Sequence, residues 1–176
     1  STRLPGKVMM SIGGYTLIEL LLMRLSESIE VDEIVVATSE HTNNKALIDH
    51  VRSLGFRCEV GSENDVLERY YDTAVKCSAD MVIRITGDCP LIDPTMVDEC
   101  IKKFKETGVD YFSNNHPESF PDGLDVEVRL RLDLLRVRDR LVADLTEGNR
   151  RIRDQLSKEH LLVGVEGPEK DISFTK

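Results

Sequence analysis

The stretch Ala79-Asp80-Met81-Val82-Ile83-Arg84-Ile85-Thr86-Gly87-Asp88-Cys89-Pro90-Leu91-Ile92-Asp93-Pro94 decides the fold. Met81 to Ile85 is a short, apolar, β-branched run closed by turn residues, the pattern of a buried strand. Gly87 lets the backbone turn, Asp88 stands where the strand ends, and Pro90 and Pro94 keep the strand from continuing. From Val97 to Lys105, the apolar residues Val97, Cys100, Ile101 and Phe104 recur with the spacing of one helical face, and Pro94 suits the start of that helix. Open α/β sheets commonly present a ligand group as a carboxylate at the C-terminal tip of a strand that leads into a helix. Asp88 equally suits a plain turn cap, and the stretch by itself leaves both readings open.

Working outward, Glu33 to Thr38 is a second apolar run, continuous rather than alternating, as strands covered on both faces require. Asn44 to Leu54 reads as a helix closed by Gly55, Phe56 to Val60 as a third strand, and Val66 to Ser78 as a further helix. Leu17 to Arg24, apolar except for Glu19 and Arg24, suits a well-buried helix. Strand and helix alternate from Glu33 to Lys105, which argues for right-handed βαβ units and an α/β fold with a mostly parallel sheet. In that sheet Ile34–Thr38 and Met81–Ile85 should flank a central gap or a strand preceding Ser1.

Downstream, Tyr111 to Asn114 is a short strand and Asn115 to Gly123 an irregular loop with two prolines. Leu124 to Leu130 alternates, with Asp125, Glu127 and Arg129 on one side and Val126, Val128 and Leu130 on the other, the pattern of an edge or half-exposed strand. Leu132 to Gln155 is a charged helical stretch, and from Leu156 the pattern is too weak to assign.

The 176 residues amount to one domain with room for a sizeable core. They carry 23 basic against 32 acidic side chains, a net charge of −9, so the basic footprint of a nucleic-acid binder is missing. No apolar run is long enough to span a membrane, and the first residues have no signal-peptide pattern. Cys58, Cys77, Cys89 and Cys100 form no C-x-x-C pair and no metal-ligand spacing; free thiols in a reducing cytoplasm account for them.

Ser1-Thr2-Arg3-Leu4-Pro5-Gly6-Lys7 sets a hydroxyl, a guanidinium and an ammonium on a short polar loop. Such a loop suits a triphosphate, with Ser1 and backbone N–H groups donating and Arg3 and Lys7 offsetting charge on a leaving pyrophosphate. It is not a Walker A loop, and it reads equally as an exposed basic terminus.

Ser1 to Lys7 resembles the later part of the R-x-G-S-x-R-L-P-x-K signature of nucleoside-triphosphate sugar nucleotidyltransferases. Three further blocks are more specific: Gly61-Ser62-Glu63-Asn64-Asp65-Val66-Leu67-Glu68-Arg69-Tyr70-Tyr71, Arg84 to Asp93, and Phe120-Pro121-Asp122-Gly123-Leu124-Asp125-Val126-Glu127. Together and in this order they resemble the spore coat polysaccharide biosynthesis cytidylyltransferase family, related to CMP-sialic acid and CMP-Kdo synthetases.

That resemblance implies a Rossmann-like three-layer nucleotidyltransferase fold of the nucleotide-diphospho-sugar transferase type. It also implies CTP as donor, Mg2+ as cofactor, and transfer of CMP to a sugar or sugar acid with release of pyrophosphate. Carried over by position, Ser1, Arg3 and Lys7 hold the triphosphate, Asp88 ligates the metal, Arg69 and Arg84 contact the nucleotide, and Asp125 and Glu127 face the acceptor or a second ion. Arg3, Lys7 and Asp88 would carry the chemistry, and neither His116 nor His160 is needed as a base.

Three departures accompany the resemblance. The family's first strand and Arg-x-Gly are absent before Ser1, Tyr15 stands where relatives usually have Lys, and the chain ends at Lys176 just where they carry a Thr-Val-Asp segment. The expectation is therefore a single nucleotidyltransferase domain over 1–176 without its first strand and C-terminal end. Its expected partners are CTP and a small acceptor, with no nucleic acid and no membrane, and a homodimer as a candidate assembly. Two other functions fit the same residues: a glycosyltransferase of similar fold using a nucleotide-sugar, although Gly87-Asp88-Cys89 is no D-x-D motif, and a non-catalytic nucleotide-binding module.

Overall fold

A computed structural model describes residues 6–115 and 120–134, and the backbone of 161–166. The chain enters through a single 3-10 turn, Lys7–Met9, whose Val8 is buried in the core. Gly6 precedes it at φ +70°, a left-handed conformation that disfavours any side chain. Next comes a two-stranded hairpin, β1 (Ser11–Ile12) and β2 (Tyr15–Thr16). Thr16 then caps helix α1 (Leu17–Leu25): its hydroxyl accepts from the Glu19 amide while Glu19 accepts from the Thr16 amide.

The remaining strands and α-helices in chain order are β3 (Glu33–Ser39), α2 (Lys45–Ser53), β4 (Arg57–Gly61), α3 (Val66–Lys76), β5 (Met81–Thr86), α4 (Pro94–Thr107), β6 (Tyr111–Ser113), β7 (Glu127–Leu130) and β8 (Leu161–Glu166). Asp65 caps α3 by accepting from the Glu68 amide, and Asp93 caps α4, with Pro94 opening that helix.

The six-stranded sheet runs β4-β3-β8-β5-β7-β6. β3 and β4 pair in parallel, and every other neighbouring pair is antiparallel. Strands β4, β3, β5 and β6 consequently point one way, with β8 and β7 reversed between them, so the sheet is mostly parallel in strand direction. β3 and β5 do flank a central strand, but that strand is β8, from the tail whose pattern is too weak to assign. The reason is that β3 and β5 each present an unpaired apolar edge, and a short extended run between them satisfies both sets of backbone groups. β7 lies inside the sheet, between β5 and β6, rather than at its edge.

Helices cover both faces. Leu21, Leu22 and Leu25 of α1, Leu47 and Val51 of α2, and Val97, Ile101 and Phe104 of α4 pack with Val36, Met81, Ile83, Ile85, Val126 and Val128. On the other face Val66, Leu67, Tyr70 and Ala74 of α3 pack with Val35, Ala37, Val82 and Leu134. Alternate residues of β3 and β5 thus enter different cores, which is why both strands read as unbroken apolar runs. The strand tips of β3, β4 and β5 meet at one end of the sheet, where open α/β sheets bind ligands. Among the described residues, no helix is long and apolar enough to cross a membrane. The four cysteines are free thiols.

Candidate functional site

At the tip of β5 the chain makes a tight turn, the Cys89 amide donating to the Thr86 carbonyl at 3.2 Å, and Asp88 stands on that turn. The segment leaving the turn is fixed to the core: Ile92 is fully buried, and its carbonyl accepts from Arg24 Nε of α1 at 2.7 Å. The 3-10 turn brings Lys7 to the same place. Val8 anchors that turn, and Lys7 Nζ forms an ion pair with Asp88 Oδ2. Both side chains are mostly but not wholly buried, at 18% and 27% exposure.

Burial disfavours the charged form of Asp88, but hydrogen bonds from Lys7 and Thr86 and the nearby ammonium outweigh it and hold the carboxyl below its ordinary range. Beside it, Thr86 Oγ1 lies 2.9 Å from Cys89 Sγ. The Cys89 thiol is pushed up by burial, opposed by the Thr86 hydrogen bond, and raised further by the charges of Asp88, Asp125 and Asp122.

Asp125 and Glu127 are not equivalent. Glu127 Oε1 pairs with Arg84 Nη1 across the β5–β7 ladder, and its Oε2 accepts from Arg129 Nη2 at 3.3 Å. Arg129 in turn lies over the Tyr111 ring, 4.3 Å from its centroid. The buried Tyr70 hydroxyl feels the charges of both Arg84 and Arg69, and burial pushes its ionisation above the ordinary range. Arg84 thus belongs to an ionic chain on the α3 face of the sheet.

Arg69 is only 4% exposed and donates through Nη1 to the Ser62 carbonyl. It lies so close to the end of β4 that a Cβ on Gly61 would come within 3.0 Å of its Cγ. Burial lowers its pKa from the ordinary arginine range. The structure therefore unites Lys7 with Asp88, and Arg84 with Glu127, and sets Arg69 in the wall of the 61–65 loop. Ser1 and Arg3 lie outside the described residues, as do His116 and His160. Thr86, which lies inside the Arg84 to Asp93 block but is given no role there, and Asn114, which lies outside every block, both stand at this end of the sheet. Only the turn-forming Ser113-Asn114-Asn115 after a short strand hints at the second.

Asp88 presents an ionised carboxylate whose Oδ2 is engaged by Lys7, and among the described residues no group of three His, Cys, Asp or Glu could hold a metal ion by itself, so any ion here would need phosphate or water oxygens as well. Mg2+ characteristically takes one or two carboxylates and completes its shell with phosphate oxygens and water.

Over 115 residues the chain is 36% identical to the Bacillus subtilis spore coat polysaccharide biosynthesis protein SpsF, covering 63% of this chain and 48% of that one. Over 108 residues it is 32% identical to 3-deoxy-manno-octulosonate cytidylyltransferase of Geotalea daltonii, covering 60% of this chain and 41% of the enzyme. The chain thus spans less than half the length of either relative. A solved cytidylyltransferase of Leptospira borgpetersenii superposes with a TM-score of 0.76 at 31% identity, over 79% of this chain and 59% of that one. Residues 1–122 match the cytidylyltransferase family as a whole, and with the fold and the Lys7–Asp88 turn in place, this chain belongs to that family.

Proposed function

We propose that this chain transfers CMP from CTP to a sugar or sugar acid with release of pyrophosphate. The observation that carries the reading is the Lys7–Asp88 pair at the tip of β5, an ammonium and an ionised carboxylate held ready beside one another. In the reaction an acceptor hydroxyl oxygen forms a bond to the α-phosphorus of CTP and gives up its proton to solvent, the bond from that phosphorus to the β-phosphate bridging oxygen breaks, and pyrophosphate carries the electron pair away. No side chain need become covalently attached, so catalysis rests on position and charge.

Lys7, turned from Asp88 toward the phosphates, offsets the charge that grows on the leaving group. Ser1 and Arg3, adjoining in sequence, are assigned the same triphosphate. Asp88 would hold Mg2+, which when bound would neutralise charge on the α-phosphate. Asp125 is assigned to the acceptor. Arg84 and Glu127 support that region through their ion pair, and Arg69 shapes the 61–65 loop. The names of the Bacillus and Geotalea relatives support an acceptor from polysaccharide building blocks, with a sugar acid as the first choice.

The test is pyrophosphate release by the purified chain from CTP, ATP, GTP and UTP in turn, with Mg2+ and a panel of sugar acids. Pyrophosphate release from CTP in preference to the other three is the expected result. Equal release from all four would overturn the base assignment, and none from any would overturn transfer itself.

A further inference from the structure

The last register pair of the β6–β7 ladder is Ser113 with Glu127. One residue beyond it, the side chain of Asn114 takes over. Its Nδ2 donates to the Leu124 carbonyl at 2.8 Å, and its Oδ1 accepts from the Val126 amide at 2.8 Å. Its own backbone amide donates to the Val126 carbonyl at 3.3 Å. These contacts fasten the peptides on both sides of Asp125, while Val126, fully buried, anchors the next side chain in the core. A side-chain amide can do this because it carries a donor and an acceptor at peptide-like spacing. Aspartate lacks the donor, and glutamine is one methylene longer.

We propose that Asn114 is a positioning residue that holds Asp125 in one orientation toward the acceptor. The assignment deepens the CMP-transfer reading and rests on it. Held this way, Asp125 meets the acceptor in one orientation; released, it samples several, and the acceptor loses a preformed contact. The donor nucleotide on the Lys7–Asp88 side is not affected.

Initial rates of pyrophosphate release decide the matter, using the full chain, MgCTP and a sugar-acid panel headed by 3-deoxy-manno-octulosonate. Asn114→Ala should raise KM for the acceptor roughly tenfold or more, with KM for MgCTP unchanged within about twofold. Asp125→Asn should do the same, and the double variant should be no worse than Asp125→Asn alone, because the first residue acts through the second. If Asn114→Ala fails to fold, Asn114→Ser, which retains an acceptor for the Val126 amide, should show the same split to a smaller degree. An unchanged acceptor KM in a folded variant, or additive effects in the double variant, would overturn the positioning role and leave CMP transfer standing. A wild-type chain that releases no pyrophosphate with any acceptor would overturn both.

Discussion

Lys7 and Asp88, 81 positions apart in sequence, are joined by an ion pair at the tip of β5. The pair gives Asp88 a more specific role than capping a turn, where Asn would serve as well. Asp88→Asn keeps size and removes charge, so the fold should persist while turnover falls. Loss of such a group should slow pyrophosphate release roughly 10²-fold or more. Circular dichroism of both proteins confirms the fold, and near wild-type turnover at saturating Mg2+ would return Asp88 to the role of a cap.

The same pair sets an acid limit on stability. The folded carboxyl of Asp88 titrates below its ordinary range, so the pair stabilises the protein above the unfolded value of about 3.9. That contribution is lost as pH falls through the lower, folded value. Thermal melts of wild type and Asp88→Asn from neutral pH to about pH 2 should show a wild-type advantage that shrinks below about pH 4. An advantage that grew on acidification would contradict the pairing.

Glu127 holds two arginines, Arg84 and Arg129, whose side chains are 32% and 16% exposed. Glu127→Gln would take the carboxylate from Arg84 and leave Arg129 with Asp133 at 3.9 Å, a cost of about 1–3 kcal/mol after allowing for partial solvent screening. Urea denaturation should show that loss, whereas calorimetric affinity for MgCTP should change little. A variant of full stability and weakened CTP binding would make Glu127 a ligand.

Gly61→Ala should cost about 1–3 kcal/mol in the same denaturation experiment, because the added methyl meets Arg69 in a packed wall. Arg69→Ala in that background removes the shortest contact, to Cγ, while those to Cβ at 3.3 Å and Cα at 3.4 Å stay, so the two substitutions should be somewhat less damaging together than their sum.

Much of this is legible in the residues. The runs in β3 and β5 announce strands covered on both faces, and the tip of β5 announces Asp88. Asp93-Pro94 marks the start of α4. The alternation around Val126 and Val128 correctly divides polar from buried positions, but it cannot tell Asp125 from Glu127. Only the β5–β7 pairing brings Arg84 to Glu127, and no local pattern contains that distance. β8 is illegible for a similar reason: its place comes from the two edges it joins, and a short run containing Gly164 has little preference of its own.

β8 also governs when the sheet can become whole. Among the described residues, β3 with β4 and β5 with β7 and β6 make two ribbons, joined edge to edge where β8 is laid between them. Both ribbons precede β8 in the chain, so during synthesis they emerge before the strand that unites them. Until β8 pairs with them, the facing edges of β3 and β5 have no partner among the described strands, and open strand edges are where chains mispair.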